Sequence, residues 1–102
     1  MPKRERLERD VVADILKVIR SLGGFAEKTH GNAFTRRGLL DVIACYRGNY
    51  IALEAKRGEH HLPTTLQLRV IEEIRAAGGR AEVVWSADKV RAILHEYDTE
   101  EE

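Results

Sequence analysis

The order of helical and extended segments along the chain predicts an α/β fold in which helices flank a mixed central sheet. Apolar residues recur at three- and four-residue steps in three segments, which is the spacing of an amphipathic helix. Short β-prone runs separate these segments, and glycine pairs follow the first two of them. The resulting order, α-β-β-β-α-β-α, favours a sheet with helices on its faces. A chain of 102 residues is long enough for one such domain and too short for two.

Each predicted helix has a recognisable start or stop. The first covers Arg6 to Leu22 and ends before Gly23-Gly24. The second begins at Thr64 or Thr65, just after a proline, and runs to Ala77 before a second glycine pair. The last follows Ser86, whose hydroxyl suits an N-cap. The apolar stripes of these helices provide faces that can pack on a sheet.

Four β-prone runs supply the predicted strands. Gly48-Asn49 lies between two of them and suits a two-residue hairpin turn, because both residues tolerate positive φ. The polar segment from His30 to Gly38 has no periodicity and is predicted to be a loop long enough to contact a ligand. The predicted strands cover residues 25–29, Leu39 to Tyr46, Tyr50 to Lys56 and Ala81 to Trp85.

The charge of the chain is balanced overall but uneven along its length. Of the 17 acidic residues, five lie in the last seven positions, so residues 1–95 carry 17 basic against 12 acidic groups. We therefore expect a single domain over residues 1–95 and an acidic C-terminal tail over residues 96–102. The basic excess of the domain is compatible with a nucleic-acid partner, although a solvated, salt-bridged surface also explains it.

Composition and hydropathy exclude several classes of protein. The longest apolar runs fall far short of the roughly 20 residues needed to cross a bilayer, and no apolar signal core follows the N-terminus. We therefore expect an intracellular, cytoplasmic protein without a membrane partner, encoded by a cell or by a virus that acts in its host. Cys45 is the single cysteine and can form neither an internal disulfide nor a cysteine-based zinc site.

Three charged residues lie inside the predicted hairpin: Asp41 on the first strand, and Glu54 and Lys56 on the second. A turn at Gly48-Asn49 would set Asp41 opposite Lys56 and Ile43 opposite Glu54. Because side chains alternate along a strand and opposed residues share a face, the three charged residues would converge on one patch. A three-residue loop would instead turn Asp41 to the other face.

Two adjacent carboxylates repel each other unless a cation lies between them. Their hard oxygen atoms suit Mg²⁺, with Mn²⁺ able to substitute, and water and phosphate oxygens can complete the octahedron. Lys56 could orient the attacking water or stabilise charge in the transition state. The set suits phosphodiester hydrolysis. The alternative is an ordinary cross-strand pair of Asp41 and Lys56, with Glu54 facing solvent.

Two further polar residues lie on apolar helical stripes. Glu8 extends the stripe of the first helix and could supply a third carboxylate, with Glu5 one turn earlier as the second candidate. A first-turn acid favoured by the helix dipole is the other explanation of Glu8. Gln67 shares a stripe with Val70 and Ile71, and is either a boundary residue or a hydrogen-bonding residue near the site.

In this order the residues resemble the PD-(D/E)XK nuclease superfamily. The matching elements are Glu8, the segment from Arg36 to Asp41, Glu54-Ala55-Lys56, and Gln67 on the helix before the second glycine pair. Within the superfamily, the chain resembles the archaeal-type Holliday junction resolvases and the virus-type replication-repair (VRR-NUC) nucleases over roughly residues 5–95. The resemblance implies a restriction-endonuclease-like core with a mixed central sheet.

Two features depart from these families. Leu40 precedes Asp41 where VRR-NUC proteins usually have proline, which is a structural rather than a chemical difference. The first helix is about one turn longer than in the resolvases, which keeps Glu5 and Asp10 open beside Glu8 as the first acid.

The resemblance implies a role for each matching residue. Asp41 and Glu54 would bind the metal together with the Ala55 carbonyl. Glu8 would complete or support that site, and Lys56 would activate or position water. Flanking residues would contact DNA phosphates independently of sequence, although solvated surface charge also explains them. These flanking residues are Lys28, Arg36, Arg37, Arg57, His60 and His61. Thr29 and His30, which precede the predicted loop, could meet the DNA backbone near the scissile phosphate, although a position without any DNA contact explains them equally well.

The leading hypothesis is a metal-dependent, structure-selective endodeoxyribonuclease that resolves four-way DNA junctions (Holliday junctions) as a homodimer and needs no nucleotide cofactor. One site cuts one strand, so paired symmetric cuts require two sites related by a two-fold axis. The second hypothesis is a VRR-NUC-type nuclease that acts on flaps or other branched DNA, and the third is a catalytically silent DNA-binding module. A dimer interface and core packing both explain the aromatic residues Phe25, Phe34, Trp85 and Tyr97.

Overall fold

The computed structural model describes residues 7–29 and 36–99. Within these ranges the chain forms three helices and four strands in the order α-β-β-β-α-β-α, which confirms the α/β prediction. The helices are α1 (Glu8–Ser21), α2 (Thr65–Ala76) and α3 (Ala87–Thr99). The strands are β1 (Phe25–Lys28), β2 (Val42–Tyr46), β3 (Asn49–Ala55) and β4 (Arg80–Val84).

The strands form one mixed sheet in the order β1-β2-β3-β4. Strands β1, β2 and β3 pair antiparallel, whereas β3 and β4 pair in parallel and are connected through α2. Helices α1 and α3 pack against one face of the sheet, and α2 packs against the other. Strand β3 is therefore covered on both faces, and every residue from Ile51 to Ala55 is buried.

The larger core layer lies between the sheet and helices α1 and α3. Ile15 and Ile19 on α1 meet Ile51 and Leu53 on β3, and all four side chains are fully buried. Ile15 and Ile19 are one helical turn apart and so share a face of α1, and Ile51 and Leu53 alternate with Ala52 and so share a face of β3. The smaller layer beneath α2 contains Leu40, Ala52, Val70, Ile71 and Ala81.

The hairpin between β2 and β3 turns at Arg47-Gly48, one residue earlier than the predicted Gly48-Asn49. Both turn residues have positive φ, 49° for Arg47 and 80° for Gly48, as a type I′ turn requires. Asn49 instead closes the hairpin opposite Tyr46, and its Nδ2 donates hydrogen bonds to the carbonyls of Tyr46 and Arg47. The asparagine thus stabilises the turn from outside it.

The earlier turn shifts the β2–β3 register by two residues. Ile43 pairs with Ala52, so the predicted pairing of Ile43 with Glu54 is wrong. Continuing this register sets Asp41 opposite Glu54, so the predicted pairing of Asp41 with Lys56 is also wrong. A shift of two residues preserves the alternation of side chains. Asp41, which directly precedes β2, still lies beside Glu54.

Helix α3 extends through the first part of the segment that we predicted to be an acidic tail. Asp98 accepts hydrogen bonds from the Tyr46 hydroxyl (2.7 Å) and from Nε of Arg47 (2.6 Å). These contacts attach the end of α3 to the β2–β3 hairpin. Residues 96–99 thus belong to the helix, whereas residues 100–102 lie outside the described part of the chain.

The helix ends agree with the predicted caps. Ser86 Oγ accepts a hydrogen bond from the backbone N–H of Lys89 (3.3 Å) and caps α3. Helix α1 begins at Glu8 rather than Arg6, and Gly23, with a φ of 91°, follows its C-terminal end.

No helix within residues 7–29 and 36–99 has the length and apolar character needed to cross a membrane.

Candidate active site

Two hydrogen bonds link the segments that carry Asp41 and Glu54 at the open end of the β2–β3 hairpin. Glu54 lies on β3, and its Oε1 accepts a hydrogen bond from the backbone N–H of Asp41 (3.2 Å). Asp41 precedes β2, and its Oδ2 accepts one from the backbone N–H of Ala55 (2.9 Å). Each carboxylate is thus held by the backbone of the other residue's segment.

Glu54 is the one charged side chain that is buried among the described residues, with 2% of its surface exposed. Burial, followed by the adjacent charge of Asp41, raises the pKa of Glu54 to about 7. Contacts with Lys56 and Gln67 act in the opposite direction. The alternative in which Glu54 faces solvent is therefore wrong. A buried carboxylate beside a second carboxylate is typical of a functional site.

Lys56 lies just beyond the end of β3 and links two acidic side chains. Its Nζ is 3.3 Å from Oε2 of Glu54 and 3.7 Å from Oε1 of Glu8. Its backbone N–H donates to the Val84 carbonyl (2.9 Å), which continues the β3–β4 pairing and fixes the base of the side chain. The ammonium group, on a side chain 13% exposed, therefore stays beside Glu54.

Glu8 contacts the site through Lys56. It lies on the first turn of α1, and 48% of its side chain is exposed. The described residues contain no group of three or more His, Cys, Asp or Glu side chains that could hold a metal ion. Glu8 therefore does not join Asp41 and Glu54 in one ligand set in this structure, and its role at a metal stays a prediction.

The structure describes one of the two other candidates for the first-helix acid, Asp10, and not Glu5. Oδ1 of Asp10 lies 3.9 Å from Nε of Arg9, the preceding residue on the helix. Glu5 lies outside the described residues. Between Glu8 and Asp10, Glu8 is the acid that contacts a predicted site residue.

Gln67 connects the start of α2 to Glu54 through both ends of its side-chain amide. Its Nε2 donates to Oε2 of Glu54 (2.8 Å), and its Oε1 accepts from the backbone N–H of Thr64 (2.8 Å). The Thr64 hydroxyl accepts from the backbone N–H of Gln67 (3.1 Å), which completes a capping box. The structure thus brings Gln67 to the site. Sequence reasoning missed Thr64, although Thr-x-x-Gln before an apolar run is a capping-box signal.

Thr29 contacts the segment that carries Asp41. Its hydroxyl donates to the Leu40 carbonyl (2.8 Å), and its backbone N–H donates to the Asp41 carbonyl (2.9 Å). The sequence predicted a DNA contact for Thr29, and nothing in its position indicated this internal role.

The donor set at Asp41 and Glu54 fits a hard divalent cation. The buried position of Glu54 makes its ionisation costly, and a bound cation would offset that cost. Mg²⁺ commonly takes one or two protein carboxylates and keeps several waters, so a third carboxylate is not required. The Ala55 backbone lies beside Asp41, and the role of its carbonyl as a ligand stays a prediction.

Two of the predicted DNA-contact residues lie beside the site. Arg57 and His61 line a cleft of about 430 Å³ together with Glu8 and Lys56. This cleft is open to solvent and carries both cationic and acidic groups. A phosphate in the cleft could therefore contact Arg57 and Lys56 together.

Arg36, another predicted DNA-contact residue, lies on a different surface from this cleft. Arg36 forms an ion pair with Glu73 on α2 and lines a separate, mainly apolar groove. His30 lies outside the described residues. The other residues of this group, which are exposed, are Lys28, Arg37 and His60.

The fold and these contacts together define a class of protein. The site contains the residues on which the resemblance to the PD-(D/E)XK nucleases is based. These are two neighbouring acids, a lysine two residues beyond the second acid, and a glutamine on the following helix. These groups converge at the end of the β2–β3 hairpin, where a phosphodiester could approach from solvent.

Comparison with known proteins shows which branch of the PD-(D/E)XK fold the chain is similar to. The chain is similar to a solved structure described as a "VRR_NUC domain", with a TM-score of 0.74 and 28% sequence identity. The similarity covers 88% of this chain and 96% of that one. No family model and no curated protein matches the chain. The chain has the VRR-NUC type of the PD-(D/E)XK nuclease fold, as the sequence predicted, and the match supports a nuclease of this type.

Proposed function

We propose that the protein is a metal-dependent, structure-selective endodeoxyribonuclease that resolves four-way DNA junctions as a homodimer. The observation that carries the proposal is the pair of adjacent carboxylates, Glu54 accepting from the Asp41 N–H and Asp41 accepting from the Ala55 N–H, with Lys56 Nζ 3.3 Å from Glu54. Such an arrangement suits hydrolysis at a charged phosphodiester, because it combines oxygen ligands for a hard cation with a fixed positive charge.

The reaction forms a bond between a water oxygen and phosphorus and breaks one phosphorus–oxygen ester bond. A Mg²⁺ or Mn²⁺ ion held by Asp41 and Glu54 would supply Lewis-acid charge to the phosphate. Lys56, beside Glu54, would orient the attacking water or stabilise charge on the phosphoryl oxygens. Gln67 keeps Oε2 of Glu54 in place through its Nε2. Arg57 in the adjacent cleft would hold a neighbouring phosphate.

The homodimer follows from the proposed reaction, because symmetric cuts in two strands require two sites related by a two-fold axis. Two of the aromatic residues considered for the interface are accessible, Phe25 with 58% and Trp85 with 39% of its surface exposed. Tyr97 instead packs against the larger core layer, and Phe34 lies outside the described residues. Phe25 and Trp85 are therefore the better interface candidates.

A VRR-NUC-type nuclease acting on flaps or other branched DNA is the second candidate. The structural similarity to a VRR_NUC domain favours it. A catalytically silent DNA-binding module is disfavoured by Glu54, because a binding surface gains nothing from a buried carboxylate held against a second acid.

The test is cleavage of a labelled four-way junction beside matched flap and linear duplexes, in Mg²⁺, Mn²⁺ and EDTA. Glu54→Gln is the inactivating variant, and Glu72→Gln, at an exposed position on α2, is its matched control. Paired symmetric cuts confined to the junction, abolished by EDTA and by Glu54→Gln alone, are the expected result. Cutting of flaps or duplex instead would favour the second candidate. Tight binding of the junction without cutting in either metal would support the third candidate, a catalytically silent DNA-binding module.

A further inference from the structure

The chain bends at Asp41, immediately before β2 begins. Leu40 is buried in the layer beneath α2, whereas Val42 is buried in the layer beneath α1 and α3. Residues two apart on an extended strand would share a face. The backbone therefore leaves the strand conformation between Leu40 and Val42, and the ladder of β2 alone does not fix the orientation of Asp41.

Thr29, the residue after β1, holds both carbonyl groups of this bend. Its backbone N–H donates to the Asp41 carbonyl (2.9 Å). Its hydroxyl donates to the Leu40 carbonyl (2.8 Å) and lies 3.3 Å from the Asp41 carbonyl. Successive carbonyls of a strand point in opposite directions, so one hydroxyl reaches both only where the chain bends. The bend is therefore stabilised from the β1 side.

The peptide group between Leu40 and Asp41 connects Thr29 to Glu54. This group is planar and trans, so its carbonyl and its N–H point in opposite directions. The carbonyl accepts a hydrogen bond from the Thr29 hydroxyl, and the N–H donates to Oε1 of Glu54. The orientation of one peptide plane thus decides whether the Asp41 N–H faces Glu54.

We propose that Thr29 is a positioning residue of the nuclease site, whose hydroxyl holds the Leu40–Asp41 peptide plane so that the Asp41 N–H keeps its hydrogen bond to Glu54. This inference rests on the proposed nuclease function. Threonine suits the role because its β-branch restricts χ1 and so fixes the direction of the hydroxyl. The hydroxyl donates its proton to the Leu40 carbonyl rather than to a DNA phosphate, which distinguishes this role from the DNA contact predicted from the sequence.

The kinetic test compares Thr29→Val, which keeps the β-branch and removes the hydroxyl, with Thr29→Ser, which keeps the hydroxyl. Thr65→Val, at the exposed start of α2, is the matched control. We expect Thr29→Val to lower kcat on the junction by about 10- to 100-fold, with KM within about twofold of the wild-type value. The other two variants should resemble the wild type. A raised KM with unchanged kcat would overturn the proposal in favour of a DNA contact.

Two readouts do not depend on cleavage. Calorimetric titration with Mg²⁺ alone should show weaker binding to Thr29→Val than to Thr29→Ser, by about tenfold. Amide hydrogen exchange of the Asp41 N–H in the metal-free protein should be faster in Thr29→Val, with the Ile51 amide as the control for global stability. Equal exchange at Asp41 in wild type and Thr29→Val would overturn the proposal whatever the activity.

The same measurements separate this inference from the proposed function. If the wild type cuts no DNA in either metal while Thr29→Val still speeds exchange at Asp41, the proposed function fails and the role of Thr29 in holding the peptide plane stands. If Thr29→Val does not fold, Thr29→Cys and Thr29→Ser give the same comparison, because the thiol is a weak donor of similar size. Equal exchange in these two variants would overturn the proposal.

Discussion

Gln67 donates a 2.8 Å hydrogen bond from Nε2 to Oε2 of Glu54, and the opposite end of the same amide caps helix α2. The cap determines which way the amide faces, because only the oxygen can accept from the Thr64 N–H. The amino group is therefore directed at Glu54, where its donor favours the ionised carboxylate. The start of α2 and the candidate active site thus share one side chain.

Gln67→Glu is expected to separate helix capping from activity. A carboxylate at this position still accepts from the Thr64 N–H, since glutamate is a standard capping-box residue. The donor to Glu54 is lost, however, and a further negative charge lies beside it. We expect cleavage to fall by at least about 100-fold, as for the loss of a single positioned donor. The measurements are kcat and Tm.

Gln67→Ala is the comparison variant, because it loses both the acceptor for the Thr64 N–H and the donor to Glu54. It should have the lower Tm of the two, since it loses half of the capping box, at a cost of up to about 1 kcal/mol. If Gln67→Glu cleaves DNA like the wild type, the contact with Glu54 is not needed for the reaction.

The metal-free protein is expected to lose stability as the pH rises from about 4.5 to about 7, because burial and Asp41 raise the pKa of Glu54 to about 7. Within this window the folded protein holds a proton that the unfolded chain has released. The unfolded state then binds fewer protons, so the free energy of unfolding falls with rising pH and levels off above about pH 7.

Glu54→Gln removes this titration and should lose less stability than the wild type over the same window, by on the order of 2 kcal/mol. Urea unfolding in EDTA at about pH 5 and about pH 8 measures the difference. Identical pH dependence in the two proteins would mean that Glu54 ionises freely in the folded state.

The sequence predicted which side chains of β2 and β3 share a face of the sheet, but not which residues pair across the two strands. A turn at Gly48-Asn49 satisfies the propensity rules, but the asparagine side chain bonds to the Tyr46 and Arg47 carbonyls and leaves Arg47 in the left-handed region. The error moved each pair by two residues and so preserved the alternation of faces along β2 and β3.

Other features of the site depend on contacts that no local pattern shows. The Thr29 hydroxyl reaches a carbonyl eleven residues away, and it does so because the chain bends at Asp41. Glu8 is correctly placed on the apolar stripe of α1, yet its contact is with Lys56 rather than with the two acids. Periodicity indicates which way a side chain faces, whereas the partner it meets depends on how separate elements pack.

Glu8→Gln is expected to lower the cleavage rate by no more than about tenfold. Its carboxylate is half exposed and lies 3.7 Å from Lys56, and an ion pair of this kind is worth about 1 kcal/mol or less. Asp41→Asn should lower the rate by at least about 1,000-fold, because it would remove a charged ligand for the proposed cation. Single-turnover cleavage at saturating Mg²⁺ measures both. Equal losses would show that Glu8 acts as a metal ligand in the DNA-bound protein.

Arg57→Ala is expected to weaken binding of the four-way junction more than Arg36→Ala does. Arg57 lines the cleft beside Lys56, whereas Arg36 is paired with Glu73 on α2. A lost phosphate contact releases one fewer counterion, so the slope of log Kd against log salt should fall by about 1 in Arg57→Ala and remain unchanged in Arg36→Ala. Fluorescence anisotropy with labelled junction in EDTA, where no cutting occurs, gives both slopes. A larger slope change in Arg36→Ala would place the DNA on the α2 side of the sheet rather than in the cleft.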